Sequence, residues 1–553
     1  MITPFNPSVI ERAIEVVDRS GAAEELLHLL SPPKRGRRPS YNTRAFLVGA
    51  LLAVQWKGSL VVRDIHRVLV GRLPLDTQRE LSIRSTGPDG TDVLLSEQHL
   101  YRILTAMGRY LEFGTGSLPD LSDTEREARR SAVLGLLHSL LAVTLPESAS
   151  TSRAIDGTGI WSYGKQPRKA PSGLLKLDAS GEELTQVNPA ANTDTDAVVS
   201  VAFDPDAGHG VKTRKDGGRE TYYGYQLHAL VRVPDYSGQD GFIPLFETFE
   251  LSPAQLDIVD PSLGLIDRSV AMGNTVTDLL ADRHYSYKTA DRWFYELMDR
   301  DVRQHVDLHP NDQGFRNYEG MKMAAAWMHC PSTPARLGTI ASAGPTASAA
   351  TKAEFAASID ERQQFAMRRV SRQSATTGAR WECPAINGTV GCPLREGTVE
   401  VAQLNGLPVV VEPPDLATAP KCCTQRTVST GLDAQAKIEQ EHYWGSEKWR
   451  LRYNARTYVE GAFGNLKNTT TENVERGFFQ VVGLAKVSFM VGIALVAHNL
   501  RMLRGNTDLF AVGEGDVLLQ QDADCHGFVF LTAEEEQVIS TMRQKARVDA
   551  TAA

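Results

Sequence analysis

Residues 453–467 read YNARTYVEGAFGNLK and carry four polar side chains at spacings of three, four and seven. These side chains are Tyr453, Arg456, Glu460 and Lys467. At about 100° per residue, a single helix places all four within an arc of roughly 60°. The apolar residues beside this arc predict that the helix docks on a core; they are Ala455, Val459, Ala462, Phe463 and Leu466.

The surroundings of this polar face suit phosphate binding. Gly461 and Gly464 border the face and leave space for a bulky ligand. The stretch KWRLRYNAR interleaves aromatic with basic residues and contains no acid; the basic residues are Lys448, Arg450, Arg452 and Arg456. We interpret the face as a carboxylate set among phosphate-binding groups. An ordinary solvated face, worth a few tenths of a kcal/mol, is the alternative for Glu460 and Lys467.

The pattern Y-x2-R-x3-E-x6-K is matched at all four positions and resembles the signature of DDE transposases of bacterial insertion sequences. The resemblance spans about residues 42–504 and is strongest at the signature itself. It implies an α/β protein with a ribonuclease H-like catalytic domain. It also implies two aspartates upstream that share a site with Glu460.

Two aspartates meet this requirement. Asp156 in RAIDGTGIW follows a short apolar segment, where we expect a strand to end, although Asp-Gly is also the commonest hairpin signal. Asp282 follows a predicted strand at 275–281 and precedes a helix and another strand. Functional side chains of α/β sheets collect at such strand ends, and a capping role is the alternative. The segment ADRHYS around Asp282 also resembles the family's second acidic segment.

The resemblance implies that Asp156, Asp282 and Glu460 are catalytic and hold two Mg²⁺ or Mn²⁺ ions. Two hard cations about 3.5 to 4 Å apart stabilise the attacking and leaving oxygens of a phosphodiester. Because Mg²⁺ takes oxygen ligands and keeps several waters, three carboxylates are enough. The implied reaction is cleavage at the ends of an insertion sequence, followed by strand transfer into target DNA.

The expected partner is double-stranded DNA, both transposon ends and target, and the joining of two ends predicts a homodimer. Expected DNA contacts near the signature are Tyr453, Arg456, Lys467, Lys448, Arg450 and Arg452. A second basic cluster lies in PPKRGRRPS and comprises Lys34, Arg35, Arg37 and Arg38. Each phosphate that they neutralise releases counterions and strengthens binding at low salt. Trp444 and Trp449 are candidates for stacking on an extruded base.

The first 150 residues have the apolar spacing of an all-helical domain. Segments 43–55 and 60–70 form a helix pair with a break at Lys57-Gly58-Ser59, which is a helix-turn-helix shape. Any helical bundle contains such pairs. The basic cluster and the resemblance favour DNA binding over a purely structural role.

These elements predict five regions. A helical DNA-binding domain covers 1–150, the two parts of the catalytic domain cover 151–315 and 443–505, an inserted domain covers 316–442, and an acidic tail covers 506–553. The insertion is expected because 177 residues separate Asp282 from Glu460, far more than a crossover requires.

The predicted insertion holds four cysteines within 41 residues: Cys383, Cys392, Cys422 and Cys423. Their number suggests a structural Zn²⁺ site, but spacings of nine and thirty with an adjacent pair lack a CxxC knuckle. Unliganded thiols in a small β-domain are therefore the favoured alternative. Six cysteines in so long a chain do not form a disulfide framework, which fits a reducing cytoplasm.

Composition is that of a soluble globular chain, with 553 residues of which 42% are hydrophobic and 23% charged. The net charge of −8 equals the eight acids in residues 508–536, a stretch without Lys or Arg, so the remainder is balanced and compatible with a DNA partner. The N-terminus lacks signal-peptide features. Lys486 interrupts the longest apolar segment, 481–498, which predicts a buried helix and no membrane span. We expect a cytoplasmic, nucleoid-associated bacterial protein.

Two other functions stay open. A catalytically inactive, transposase-derived DNA-binding protein is the first, and the presence of all three acids argues against it. A metal-dependent hydrolase of another substrate is the second. The basic, aromatic stretch KWRLRYNAR argues against that function, because a small substrate needs no extended phosphate track.

Overall fold

A six-stranded mixed sheet lies at the centre of the computed structural model, which has a mixed α/β fold with several smaller sheets. The structure describes residues 4–31, 40–87, 89–164, 203–213, 218–239, 241–254, 257–340, 343–344, 346–371, 378–431, 436–505 and 507–510. The predicted DNA contacts Lys34, Arg35, Arg37 and Arg38 lie outside the described residues, as does almost all of the acidic tail.

The N-terminal part is helical apart from one small hairpin. Its elements are α1 (Pro7–Ser20), α2 (Ala22–Leu30), α3 (Thr43–Lys57), α4 (Val62–Gly71), α5 (Leu75–Glu80), β1 (Arg84–Thr86), β2 (Asp92–Leu94), α6 (Glu97–Tyr110) and α7 (Asp123–Val143). The Asn42 side chain caps α3, and Gly58, with a φ of 55°, ends it. Helix α4 then leaves at 99°. The predicted helix pair with a glycine break is therefore confirmed.

The central sheet combines antiparallel and parallel pairing. Its strands are β3 (Ser152–Trp161), β4 (Gly208–Thr213), β5 (Arg219–Arg232), β6 (Phe246–Pro253), β7 (Asp278–Ala281) and β8 (Arg303–Val306). Strand β5 pairs antiparallel with β3 on one edge and with β4 and β6 on the other. Strand β7 pairs in parallel with both β3 and β8. Helix α8 (Val259–Ala271) precedes β7 and the short α9 (Tyr295–Asp299) precedes β8, which confirms the predicted crossover after Asp282.

The chain after β8 forms two three-stranded sheets and then returns to the central sheet as helices. The elements up to residue 429 are α10 (Pro310–Gln313), β9 (Arg316–Tyr318), β10 (Met321–Ala324), β11 (Trp327–His329), α11 (Ala349–Gln364), β12 (Arg368–Ser371), β13 (Arg380–Glu382), α12 (Thr398–Leu404), α13 (Lys421–Thr424) and β14 (Thr427–Ser429). The last three helices are α14 (Glu447–Asn454), α15 (Thr457–Lys467) and α16 (Leu484–Arg504).

One hydrophobic core joins the N-terminal helices, the central sheet and α16. Helix α16 packs against α3, α7 and β6, and the rings of Phe46 and Phe489 stack with centroids 5.6 Å apart. This helix is long and apolar enough to cross a membrane, but 78% of its most apolar window is buried inside the protein. The predicted burial of this segment is therefore confirmed.

The segment 453–467 is not the single helix predicted from its periodicity. Helix α14 ends at Asn454 and α15 begins at Thr457. Ala455 and Arg456, between the two helices, keep helical backbone angles. The hydrogen bonds across the junction span three residues, as in the bond from the Val459 N–H to the Arg456 carbonyl at 3.1 Å. Because the angles stay helical, the predicted apolar stripe remains on one side and all five of its residues are buried.

Candidate active site

The parallel pairing of β3 with β7 places Asp156 beside Asp282. The pairing ends at Ile155 and Ala281, so the two aspartates are the next residues along neighbouring strands. Asp282 follows the end of β7, as predicted, and its carboxylate also accepts a 2.6 Å hydrogen bond from the Arg283 N–H.

The prediction that Asp156 ends a strand is wrong. Strand β3 continues to Trp161, because β5 is long enough to pair with every residue from Arg153 to Trp161. Asp156 faces Ala229 in this pairing, and no hairpin turn forms at the Asp-Gly pair. The Asp156 carboxylate accepts a 2.8 Å hydrogen bond from the Gly157 N–H, which fixes its position in mid-strand.

Helix α15 packs on β3 and β5 and carries Glu460 to the two aspartates. Arg456 joins the acids: its Nη2 lies 2.6 Å from Glu460 Oε1, and its Nη1 lies 3.7 Å from Asp156 Oδ2. The Glu460 side chain is 51% exposed and that of Asp156 is 26% exposed. In this group of acids and Arg456, which we call the cleft, Asp156 is the more buried carboxylate and Glu460 the more exposed one.

The electrostatics of the cleft show that the three acids act on one another. The pKa of Asp156 is raised to about 6, chiefly by burial; the Gly157 N–H and Arg456 lower it, and the charges of Asp282 and Glu460 add smaller increases. Arg456 offsets part of this negative charge through its ion pairs with Asp156 and Glu460.

The donor set suits a hard divalent cation. Asp156, Asp282 and Glu460 supply only carboxylate oxygens, which are the ligands that Mg²⁺ and Mn²⁺ prefer. The rim position of Glu460 leaves room for water ligands beside the protein ligands. These three residues would hold such ions after some side-chain movement, because their ligand atoms do not all lie within 4.8 Å of one another.

Tyr453 and Lys467 also converge on this cleft despite the break between the helices. The Tyr453 ring stacks on Trp449 at 4.9 Å, and the Arg456 guanidinium lies 5.6 Å from the Tyr453 ring centroid. Lys467 Nζ donates 2.7 Å hydrogen bonds to Thr158 Oγ1 and to the Gly159 carbonyl. Lys467 is thus fixed to the strand that carries Asp156, two residues beyond the carboxylate.

The basic stretch of α14 divides into exposed and buried residues. Lys448 and Arg450 are exposed, and Arg450 lies 3.8 Å from Glu447. Arg452 is buried, donates a 2.7 Å hydrogen bond to Ser152 Oγ and lies 3.2 Å from Asp278. The Arg452 guanidinium is therefore committed to partners inside the protein, which does not favour the predicted DNA contact of Arg452.

Trp444 is also excluded from the predicted role of stacking on a base. Its side chain is 1% exposed, and its Nε1 donates a 2.9 Å hydrogen bond to Asp307. Trp449 is partly exposed but is already stacked on Tyr453. The aromatic rings of this segment thus support the cleft and position the signature residues.

A second acidic cluster behind the cleft is an ion-pair network. Asp278, His305 and Glu441 bring three potential metal-ligand atoms within 4.8 Å of one another. Arg303 lies 2.5 Å from Asp278 and 3.0 Å from Glu441, and Arg452 also contacts Asp278. Since two guanidinium groups already balance the carboxylates, this cluster has no need of a metal. It was missed in the sequence because it assembles from β7, β8 and the segment before α14, which are distant from one another in the chain.

A groove beside Lys467 was likewise missed. It has a volume of about 370 Å³ and its lining includes Trp161, Tyr222 and Arg476. The rings of Trp161 and Tyr222 lie 5.8 Å apart, and a side chain at Gly159 would begin 2.6 Å from the Tyr222 ring. The glycines at every second position in GTGIW are the only sequence signal here, because they let the Gln226 and Tyr222 side chains lie against this strand.

The predicted zinc candidates Cys383, Cys392, Cys422 and Cys423 lie outside this cleft, as buried free thiols around a separate small cavity. Comparison with protein-family models, with curated proteins and with solved structures finds no match to this chain.

Proposed function

We propose that this protein is a DNA transposase of the DDE class, which cleaves the ends of an insertion sequence and joins them to target DNA. The observation that carries the proposal is that Asp156 and Asp282 are the next residues along neighbouring paired strands, while Arg456 ion-pairs with both Asp156 and Glu460. An ordinary charged helix face would not place Glu460 beside two aspartates from neighbouring strands. The joining of two ends makes a homodimer part of the proposal.

The layout of the central sheet supports a ribonuclease H-like catalytic domain. Its strand order is β4-β5-β3-β7-β8, with β6 also paired to β5; the pairs up to β3 are antiparallel, and the pairs β3–β7 and β7–β8 are parallel. The first acid lies on the middle strand of this order, the second at the end of the next strand, and the third on a late helix packed on the sheet. This arrangement is the one that the resemblance to DDE transposases implies.

Each residue of the cleft has a role in this chemistry. Bound divalent ions would polarise the scissile phosphodiester and the attacking oxygen, and Asp156, Asp282 and Glu460 would hold them. Arg456 is placed to hold a phosphate oxygen next to the carboxylates, and Tyr453 supports Arg456 through its ring face. Lys467 adds a fixed positive charge on β3.

The exposed residues Lys448 and Arg450 extend the positive surface away from the cleft along α14. Contacts of this kind position the DNA backbone and carry no sequence information. They suit a substrate longer than the reacting phosphate, which favours DNA over a small phosphoester.

The test is cleavage of DNA that carries the element's ends, taken from the sequences flanking the gene, with Mg²⁺. We expect wild type to cut and leave a 3′-hydroxyl, and Glu460→Gln to bind the same DNA without cutting. Glu447→Gln is the matched control, because Glu447 is exposed on the neighbouring helix. Equal cutting by wild type and Glu460→Gln would remove Glu460 from the site. Binding without cutting by wild type would favour the inactive DNA-binding protein.

A further inference from the structure

Five cysteines from separate segments surround one small buried cavity. They are Cys330 after β11, Cys383 after β13, Cys392, and the adjacent pair Cys422 and Cys423 on α13. All five are buried free thiols. The cavity measures about 10 Å³, which is the space of roughly one water molecule. Apart from Arg395, the remaining lining residues are apolar, so the cavity offers little to hold a water molecule.

The elements around this cavity are short and share only a small hydrophobic core. Their strands are three or four residues long. Two small clusters of buried side chains meet at the cavity, one containing Cys422 and Cys423 and the other containing Cys330, Cys383 and Cys392. Small units with so little core commonly depend on a structural metal or on disulfides. The thiols lie where such a link would join the two clusters.

We propose that Cys330, Cys383, Cys392 and one thiol of the Cys422–Cys423 pair bind a structural Zn²⁺ ion that holds the two small sheets together. Four thiolates in a tetrahedral arrangement form a common structural zinc site. Cys330 is the ligand that could not be recognised from the sequence. It lies 53 residues before Cys383, well outside the group formed by the other four cysteines. This proposal is independent of the catalytic site.

Zinc binding requires the sulfurs to move together. Among the residues that the structure describes, only Asp278, His305 and Glu441 bring three potential ligand atoms within 4.8 Å of one another. Zn–S bonds of about 2.3 Å place tetrahedral sulfurs about 3.8 Å apart. Rotation of a cysteine between staggered rotamers moves its sulfur by about 3 Å, and side-chain rotation is the movement that would bring the sulfurs onto an ion.

The first test measures zinc in the full-length protein by mass spectrometry after dialysis. We expect about one zinc ion per chain in wild type, and loss of most of that zinc in Cys330→Ser, in Cys383→Ser, in Cys392→Ser and in the double variant Cys422→Ser/Cys423→Ser. Cys525→Ser, at the sixth cysteine, is the matched control and keeps its zinc. A wild type without zinc, or full zinc retention in these variants, would overturn the proposal.

A serine variant that fails to fold also loses zinc, so a second test uses wild type alone. Zinc is removed with a chelator, and Co²⁺ is then titrated into the full-length protein. We expect a thiolate-to-cobalt charge-transfer band that saturates at about one ion per chain, together with renewed protection of residues 321–429 from protease. The same band in Glu460→Gln separates this site from the carboxylate cleft. Absence of the band would overturn the proposal.

Discussion

Arg456 lies between the carboxylates of Asp156 and Glu460 and acts as their counter-ion. Although burial disfavours a charged guanidinium, the charges of Tyr453, Glu460, Asp282 and Asp156 hold the pKa of Arg456 above its ordinary value. In the proposed reaction the same side chain contacts phosphate when divalent ions balance the acids. One residue thus stabilises the cleft before substrate binds and contacts the substrate afterwards.

We expect Arg456→Gln to lower the single-turnover cleavage rate by about 100-fold, because it removes a charge from the side of the reacting phosphate. DNA binding should weaken much less, since other basic residues contact the backbone. Arg450→Gln is the matched control: it removes an exposed charge on the neighbouring helix and should change cleavage less than about threefold. Wild-type cleavage by Arg456→Gln would contradict the placement of this residue at the reacting phosphate.

The affinity of the cleft for Mn²⁺ should depend on pH through Asp156. Burial raises the pKa of this carboxyl to about 6, above the ordinary value of about 3.9. Because this pKa is raised, ionisation of Asp156 costs the folded protein stability as pH rises from about 4 to about 6. Below about pH 6 a bound metal ion also has to displace the proton. Titration calorimetry should therefore show Mn²⁺ affinity falling by up to about tenfold per pH unit below about pH 6, with a plateau above it.

The control for this pH dependence is Asp156→Asn. It should bind Mn²⁺ more weakly at every pH and should lose most of the dependence, because the titrating carboxyl is gone. Mn²⁺ affinity of wild type that stays constant between about pH 5 and pH 7.5 would contradict a metal-ligand role for Asp156.

At the scale of elements, the periodicity of the sequence correctly predicted which face of the signature segment is buried. It did not predict the break between α14 and α15. The apolar stripe from Ala455 to Leu466 is buried as predicted because helical angles persist through the junction. Neither glycine nor proline marks the junction. Arg452 is held there by Ser152 and Asp278, which are distant in sequence. Tertiary contacts of this kind leave no periodic signal.

The ends of strands also depend partly on distant contacts that the local sequence does not predict. The position of Asp282 at the end of a strand could be predicted from the local sequence, because an apolar run ends directly before it. The strand around Asp156 extends further than local sequence predicts, because its second half depends on pairing with β5 about 70 residues later. The register of β3 with β7, which brings the two aspartates together, is likewise set by the assembled sheet.

Three buried acids from distant segments contact the start of α16, and the composition of the sequence did not predict their burial. Asp204 and Asp206 lie in a polar stretch that reads as a solvated loop, yet both are buried. Together with Glu112 they accept hydrogen bonds from the N–H groups of Gly483, Leu484 and Ala485. Carboxylates are favoured there by the unpaired N–H groups and the dipole of the helix.

Asp206→Ala should lower the free energy of unfolding by about 1 to 3 kcal/mol, because it leaves buried donors without an acceptor. Asp206 accepts from the Ser117 N–H at 2.8 Å and from the Leu484 N–H at 3.3 Å, so it ties two distant segments together. Urea denaturation measures the change. Asp120→Ala, at an exposed turn, should stay within about 0.5 kcal/mol of wild type. Equal stability of the two variants would show that the buried acid is not an anchor.

At the scale of the whole molecule, a buried ion-pair network links three strands of the central sheet. Glu247 on β6 is fully buried and pairs with Arg153 on β3 at 2.8 Å and with Arg232 on β5 at 2.5 Å. Although burial raises the pKa of Glu247, the two arginines bring it below its ordinary value. Its stabilising contribution is therefore present above the pKa of the unfolded chain and is lost as pH falls through the lower pKa of the folded state.

Glu247→Gln should destabilise the protein by about 3 to 5 kcal/mol near neutral pH, because two arginines then lie buried without a compensating charge. Thermal or urea unfolding measures the loss, and the difference from wild type should shrink in acid. Glu15→Gln breaks a partly exposed pair with Arg12 and Arg19 and should cost less than about 1 kcal/mol. A Glu247 variant as stable as wild type would contradict the role of this network.

The most direct test of the proposed carboxylate site is cleavage of end-containing DNA by Asp282→Cys in Mg²⁺ and in Mn²⁺. Mg²⁺ binds oxygen and rejects thiolate, whereas Mn²⁺ accepts a sulfur ligand more readily. If Asp282 holds a catalytic ion, the variant should be inactive with Mg²⁺ and regain measurable cleavage with Mn²⁺. Cleavage by Asp282→Cys with Mg²⁺ at the wild-type rate would contradict the account.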